Sequence, residues 1–524
     1  MLSHIRGSFL IGVVMMLPSL LAAQSWQFVG TRAMGMGGAG VATAYGPDAQ
    51  YWNPAGLAQE EDVNESGFLL SGAGSLEATK NVLEGIRDLS DMSDQYRNLS
   101  HAISNGQYVS AENISTIFKG LNDISDLIGQ NMGALVNANA GAGIKIKNFA
   151  LSARALGTGS ILPVVDTRNI SFNLSGSGLQ LGDAGDPSSV NNQQSASQLA
   201  DSIQENNLFN ALNSLLGGIY TDAQALANAI INAAVTYGAT ETQIAQAINT
   251  ATQNMAGAAP ILEYASTSTG SYADNETLAM ADAATFAEVA LGYGSEVGPG
   301  LKLGINIKGI SGYTAQSGVM VLTDHEKIED IFDKAYDNKK NSTNIGVDVG
   351  LLANFSRIAD REIWGNPQLG ITARNINGPK FARPDVPTDV NAAIAAQWRT
   401  DKYQLKPQVR AGMSLNPLRW MTVAADIDVT ENETLLDSVK SRQLAVGMEF
   451  NLINTQMFNI PLRLGYNKNL ASEDVSPFFT AGVGFNMAHF YLELSGAMSS
   501  KTTKIDGHDI PNSAAAALTL GVLF

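Results

Sequence analysis

Apolar and polar residues alternate along many short segments of this chain. In 343–355, 441–451 and 457–467, nearly every second residue is apolar and the residues between are polar, charged or glycine. Such period-two alternation predicts β-strands with one apolar face. It predicts sixteen strands, at 66–75, 132–146, 148–158, 166–176, 281–294, 301–313, 343–355, 366–376, 390–399, 406–415, 419–429, 441–451, 457–467, 477–486, 488–499 and 514–524.

Alternation alone fits two architectures. In a soluble β-sandwich the apolar face points into the core, whereas in a membrane-spanning barrel it points to lipid. The N-terminal residues favour the barrel, because 1–23 combine His4 and Arg6, a short apolar run, and Ala22 and Ala23. This pattern predicts a secretory signal peptide. The apolar run is too short for a spanning helix, and an exported chain without such helices crosses lipid as a closed barrel.

The C-terminal segment favours the barrel as well. Strand 514–524 has one apolar face and ends on Phe524, which resembles the signal read by the outer-membrane barrel assembly machinery. The sequence therefore predicts an all-β transmembrane β-barrel in the cell outer membrane, with about 14 antiparallel strands and a range of about 12 to 16. Tight connections at 416–418 and Met487 place the C-terminus in the periplasm, since short turns lie on that side.

Two insertions break the alternation and have helical periodicity, at about 76–130 and 192–260. In the first, a helix is expected from Leu76 onwards. In the second, the pairs Thr221/Gln224 and Thr240/Gln243 have the spacing of capping boxes. A third, short charged helix is expected within 324–339. These helices could cover the barrel mouth, form a bundle of their own or bind a partner.

A glycine-rich segment, 24–60, precedes the first strand and is poorly suited to form a long helix. Its Gly35, Gly37 and Gly40 match the dinucleotide fingerprint G-x-G-x-x-G. That fingerprint needs a preceding strand and a following helix, and neither is predicted here, so a structural glycine cluster is the better interpretation. Asn53 and Pro54 then supply turn chemistry.

This segment resembles the FadL-type outer-membrane proteins, and among them most closely the conjugal-transfer TraF-like family. The resemblance rests on Arg32–Gly40, Asp48–Ala49 and Asn53–Leu57, and near the end of the chain on Arg442–Met498. It implies that 24–60 is a hatch filling the lumen of a barrel formed by 61–524. The residues to which it assigns a plug or gating role are Arg32, Gly35, Gly37, Gly38, Gly40, Asp48, Asn53, Pro54 and Ala55.

Composition and charge exclude several other functions. A net charge of −17 argues against nucleic-acid binding, and zero cysteines rule out disulfides and thiolate metal sites. The histidine spacing and the lack of a G-x-S-x-G motif predict neither a catalytic site nor a cofactor. Charged residues on the inward faces are expected to form ion pairs that line the lumen and hold the hatch: Arg154, Asp348, Arg374, Arg410, Glu449 and Arg463.

The resemblance implies passive transport or binding of hydrophobic small molecules through rearrangement of the hatch. The expected partners are outer-membrane lipid, the barrel assembly machinery and a hydrophobic ligand. The alternative is a structural or assembly component of the cell envelope, or of a conjugation or secretion system, in which the helical insertions bind another envelope protein.

Overall fold

The computed structural model describes residues 25–59, 66–79, 133–166, 168–169, 184–215, 218–267, 274–320, 330–390, 392–436, 439–455, 457–505 and 508–523. Fourteen of its strands form one closed antiparallel barrel, which confirms the predicted fold class. The barrel strands are β1 Gly67–Ala78, β2 Ala134–Ile146, β3 Phe149–Val164, β4 Leu278–Gly298, β5 Leu301–Met320, β6 Lys340–Asn354, β7 Gln368–Arg374, β10 Gln408–Leu418, β11 Met421–Asp428, β12 Gln443–Asn454, β13 Phe458–Asn469, β14 Phe478–Met487, β15 Phe490–Ser499 and β18 Ser513–Leu523. Two small hairpins add β8 Lys380–Phe381 with β9 Tyr403–Gln404, and β16 Thr502–Ile505 with β17 His508–Pro511.

Fourteen of the sixteen predicted segments correspond to the barrel strands. The segment 166–176 lies mostly outside the described residues. The prediction at 390–399 is wrong, because Ala392–Gln397 is a short helix. Ile394 and Trp398 are four residues apart and pack in one apolar cluster with residues from the ends of β4 and β5, so the helical spacing places both side chains on the buried side.

The barrel is inside out relative to a soluble sandwich. On β13, Leu462 and Leu464 are 38% and 52% exposed, whereas Arg463 between them is 2% exposed. The same alternation holds on β15, where Leu492 and Leu494 face outward and Glu493 is buried. Apolar side chains therefore cover the outside, as in a transmembrane barrel, and polar side chains face the lumen.

The two ends of the barrel differ in their connections. One end has mostly short turns, such as those between β2 and β3, β4 and β5, and β14 and β15. β10 continues to Leu418, so the tight turn expected at 416–418 lies two residues further along the chain. The opposite, long-loop end carries every connection that the sequence predicted to be helical or long.

The second insertion is helical as predicted. Its helices are α3 Val190–Glu205, α4 Phe209–Leu215, α5 Ala223–Thr236 and α6 Glu241–Thr267, which together we call the helical module. The Thr240/Gln243 capping box is confirmed, with the Thr240 N–H 3.0 Å from Gln243 Oε1 and the Gln243 N–H 3.3 Å from Thr240 Oγ1. The Thr221/Gln224 box is wrong, because Asp222 caps α5 by accepting the Ala225 N–H at 2.8 Å.

The other helical predictions are only partly testable. Leu76 belongs to β1, so the helix expected to begin there is wrong at its start. The remainder of that insertion, 80–132, lies outside the described residues, as do 1–24 and Phe524. In the third excursion the structure shows a helix at Asp330–Asp337. Among the described residues, no helix is both long and apolar enough to cross a bilayer.

Candidate functional site

The N-terminal segment 25–59, which we call the hatch, lies within the barrel at the short-turn end. It contains two short helices, α1 Thr31–Gly35 and α2 Ala49–Trp52, and a 3₁₀ turn at Pro54–Ala58. Side chains of the hatch bond to several different strands of the wall. Gln50 Nε2 donates to the Ala150 carbonyl at 3.1 Å, and the Thr31 hydroxyl donates to Glu493 at 2.7 Å.

A buried chain of charges joins the hatch to the wall. Arg463 donates to Glu449 at 2.7 Å and to Glu493 at 2.8 and 2.9 Å. Arg32 of the hatch donates two bonds of 2.9 Å to Glu449. Each carboxylate is therefore held both by a wall arginine and by a hatch side chain, so the wall network is completed by the hatch.

A wall carboxylate also binds the hatch backbone, and a wall arginine binds a hatch carboxylate. Asp426 accepts the N–H groups of Gly40 and Val41, each at 2.8 Å. Arg154 of the wall donates to Asp48 of the hatch at 3.0 Å. These bonds satisfy hatch groups that would otherwise be buried without partners, which is costly in a lumen closed to water.

Three wall arginines surround an aromatic cluster of the hatch formed by Trp26, Tyr51 and Trp52. The Arg374 Cζ atom lies 4.1 Å from the Tyr51 ring centroid, and the Arg410 Cζ atom lies 4.7 Å from that of Trp26. Trp26 stacks on Trp52 at a centroid distance of 5.9 Å. Cation–π contacts of this kind are strongest where water is excluded, as it is here.

Two of these arginines are neutralised within the wall. Arg410 pairs with Asp428 at 2.6 Å, and the Arg374 guanidinium lies 3.9 Å from Glu288. Asp348 accepts from Lys308 at 3.1 Å. The structure thus places all six predicted lumen residues in ion pairs, and three of those residues, Arg154, Glu449 and Arg463, belong to pairs or chains that include a hatch side chain.

Glycines of the wall form a second class of hatch contact, which the sequence analysis did not single out. Gly304 and Gly350 are paired across β5 and β6, and a Cβ at either would collide with Pro54 or its neighbours in the hatch. Gly447 and Gly465 are paired across β12 and β13, where a Cβ would collide with the backbone at Met36 or Gly37. The sequence signal for these contacts was pairs of glycines that lie opposite each other on the predicted inward faces of neighbouring strands. They let the hatch backbone approach the wall directly.

The predicted hatch residues have distinct local roles. Asn53 Oδ1 accepts the Ala55 N–H at 3.0 Å and so caps the 3₁₀ turn. Its Nδ2 donates to the carbonyls of Val41 and Leu351, at 3.1 and 3.0 Å. Asn53 therefore joins two parts of the hatch to β6, and Pro54 fixes the first residue of the turn.

The hatch glycines permit tight folding. Gly37 and Gly38 have φ values of 71° and 95°, which side chains rarely adopt. At Gly40 an added Cβ would lie 2.6 Å from the Trp52 ring, and at Gly35 it would lie 3.0 Å from Arg463 Cβ. The glycine spacing thus has a structural explanation in this fold.

One cavity borders the hatch, and another lies at the long-loop end of the barrel. One of about 60 Å³ lies between the hatch and the wall, lined by Arg32, Tyr45 and Trp52 on one side and by Leu69 and Tyr491 on the other. A second of about 410 Å³ lies at the long-loop end, where Val164, Leu278 and the helix at Ala392–Gln397 form an apolar lining beside Asp166 and Glu276. The described residues contain no group of three or more His, Asp or Glu side chains that could hold a metal ion.

The sequence matches a family model described as the F plasmid transfer operon TraF protein over residues 50–428. This chain belongs to that TraF family. The match covers Asn53–Leu57 and the middle of the chain, which the motif resemblance had not covered, and it leaves out both Arg32–Gly40 and Arg442–Met498. No curated relative matches this TraF-family chain.

Solved structures similar to this TraF-family protein include outer-membrane channels. The toluene transporter TbuX of Ralstonia pickettii is 10% identical with a TM-score of 0.41, covering 94% of this chain and 98% of that one. A FadL homologue of Pseudomonas aeruginosa is 9% identical with a TM-score of 0.38, covering 96% of this chain and 99% of that one. At such low identities and TM-scores, neither likeness carries information about what this chain binds.

Proposed function

We propose that this protein is an outer-membrane barrel that binds or passes hydrophobic small molecules by passive diffusion, with the hatch as its gate. The observation that carries the proposal is the kind of contact that joins the hatch to the barrel wall. The hatch is not part of the barrel sheet. It packs against glycines of the wall and is held there by hydrogen bonds and ion pairs. Such polar contacts can be exchanged for others when the hatch moves, without loss of the barrel.

The cavities support a closed state of this gate. The cavity beside the hatch, about 60 Å³, is smaller than the roughly 150 Å³ of an apolar cavity that accepts benzene. A solute the size of benzene therefore passes only if the hatch shifts. The larger cavity, about 410 Å³ at the long-loop end, has apolar lining from Val164 and Leu278 beside the charged Asp166 and Glu276, and it is a suitable place for such a solute to enter. A ligand would open the gate by binding the open state more tightly than the closed one.

The test is uptake of labelled long-chain fatty acids and other apolar solutes by proteoliposomes. The Asn53→Ala, Pro54→Ala variant removes the cap and the fixed turn, so we expect it to change the uptake rate. The matched control is Asn354→Ala, since Asn354 caps a short helix outside the hatch by accepting the Arg357 N–H at 3.0 Å. Uptake no faster than into protein-free vesicles, with wild type and variant alike, would contradict transport.

An assembly role is the second candidate, and one observation favours it. The helical module has an apolar core that includes Leu199, Leu226 and Ile248, so it is a folded body in addition to the barrel. The family description, which names a plasmid transfer operon, supports a role in a conjugation apparatus. Unchanged uptake together with loss of plasmid transfer when 184–267 are replaced by a short turn would favour this candidate.

A further inference from the structure

The helical module packs against one sector of the barrel wall. Its apolar cluster includes residues from the long-loop ends of five strands. These wall residues are Leu76, Ala78, Ala134, Ile161, Ala279, Ala281 and Val319.

All of them lie on the outer face of the wall. On β4, Ala279 and Ala281 alternate with Met280 and Asp282, which face inward: Met280 shares a cluster with Ile394, and Asp282 pairs with Arg383 at 2.8 Å. On β5, Val319 has the same parity as Ile305 and Ile307, which are exposed on the lipid side. The module is therefore attached to the flank of the barrel, and its wall contacts lie outside the lumen.

Its height above the membrane follows from the register. Tyr313 is 40% exposed on the outer face of β5 and pairs with Thr285, and tyrosines of this kind mark the membrane interface. Ala281 lies four residues beyond Thr285, which is about 14 Å along the strand and about 10 Å along the bilayer normal for a typical tilt. The headgroup layer is roughly 5–8 Å thick, so the lower edge of the module meets its outer side.

The side chains of the module limit the kind of contact that it can make with lipid headgroups. No Lys, Arg or His occurs between Arg168 and Lys302, so the module offers no cation for an ion pair with lipid phosphate. Its exposed positions include many neutral amides, among them Gln193, Gln198, Gln204 and Gln246, beside fewer carboxylates such as Asp201 and Glu205. Amides both donate and accept hydrogen bonds, as neutral polar headgroups do.

We infer that the helical module rests on the lipid headgroup layer at the long-loop end of the barrel, through neutral amide and hydroxyl side chains. The contact is continuous with the lipid-facing surface below it on β4 and β5. This inference depends on the transmembrane barrel and is independent of whether the hatch opens.

Hydrogen–deuterium exchange of the full chain tests it, comparing phosphatidylcholine vesicles with lauryldimethylamine oxide micelles. Amides within 190–267 should exchange at least about threefold more slowly in vesicles, because contact with the layer suppresses local opening. Residues 429–436 are the internal reference, since their Leu435 and Leu436 pack in a cluster with Phe286 and Phe381 on the inner side. Their exchange should be the same in both.

Salt distinguishes a neutral contact from a charged one. The protection should persist in about 0.5 M NaCl, where exposed charges are screened. Equal exchange in vesicles and micelles would overturn the inference, and so would protection that salt abolishes.

A variant at the wall tests where the module is attached. Ala281→Glu places a charge between the wall and the module and should remove the protection in vesicles, while heat-modifiable gel mobility shows whether the barrel is intact. Unchanged protection in an intact barrel would contradict the placement.

Discussion

The hatch and the helical module contact the same wall on its two faces, by opposite chemistry. Inside, Glu449, Asp426 and Arg154 hold the hatch by ion pairs and hydrogen bonds. Outside, the module is seated on alanines and aliphatic side chains such as Ala281 and Val319. The inner contact combines matched charges and close backbone approach with apolar packing, as of Phe28 on Phe478, whereas the outer contact depends on buried apolar area.

The largest loss in the free energy of unfolding is expected from Arg463→Met. It leaves Glu493 without its arginine and Glu449 with Arg32 alone, and an uncompensated buried carboxylate costs about 3–5 kcal/mol. The free energy of unfolding in micelles, followed by tryptophan fluorescence, measures the loss. The control is Arg357→Met, whose arginine is 52% exposed beside Glu296 and should change stability by less than about 1 kcal/mol. Equal losses in the two variants would show that the inner network does not hold the hatch.

A smaller effect is expected from Gly447→Ala, which tests the glycine seat. The added methyl group would collide with Met36 of the hatch, and overpacking of this kind costs about 1–3 kcal/mol. Gly309→Ala is the matched control on β5 of the same barrel, because its Cβ would meet no described atom within 4 Å. The free energy of unfolding should be lower for Gly447→Ala than for Gly309→Ala. Identical values would show that the hatch contact at Gly447 does not require glycine.

The smallest effect is expected on the outer side, from Asp222→Ala. Removing this cap of α5 should cost about 1 kcal/mol, whereas Asp222→Asn should cost almost nothing. The hydrogen bond from the Ala225 N–H holds the pKa of Asp222 below its usual value. Its charged form therefore stabilises the module above the usual aspartate pKa, and that contribution is lost as pH falls through the lowered pKa.

Circular dichroism at acid and neutral pH measures this effect, since the module provides most of the described helix. The wild type should lose helix stability on acidification by more than Asp222→Asn does, while hatch fluorescence stays the same. A change in hatch fluorescence would show that the two faces of the wall are coupled.

The strands were predictable because period two is a strong signal, but alternation alone did not decide which face of the wall is buried; that prediction came from the two ends of the chain. Leu462 and Arg463 alternate in the sequence whether the core is protein or lipid. Only closure of the sheet decides that Arg463 is buried and Leu462 is exposed. The ion pairs of Arg410 and Glu449 likewise needed the register, which places residues far apart in sequence side by side.

The errors have local physical causes. The segment 390–399 can alternate as a strand, but its Ile394 and Trp398 also have helical spacing, and burial against the ends of β4 and β5 favours the helix. At α5 both Thr221 and Asp222 can cap, and the structure uses Asp222, whose carboxylate reaches the Ala225 N–H. In each case two patterns compete over a few residues, and tertiary contact selects one of them.

The register of β3 and β4 has a practical consequence. Val164 and Leu278 are directly paired, so everything between them leaves and re-enters the barrel at neighbouring positions. In terms of gene organisation the helical module is an insertion into a hairpin, and it could be exchanged for a tight turn or a foreign domain without altering the order of the wall strands. The same junction would serve as a grafting point for displaying a peptide or binding protein on the long-loop end.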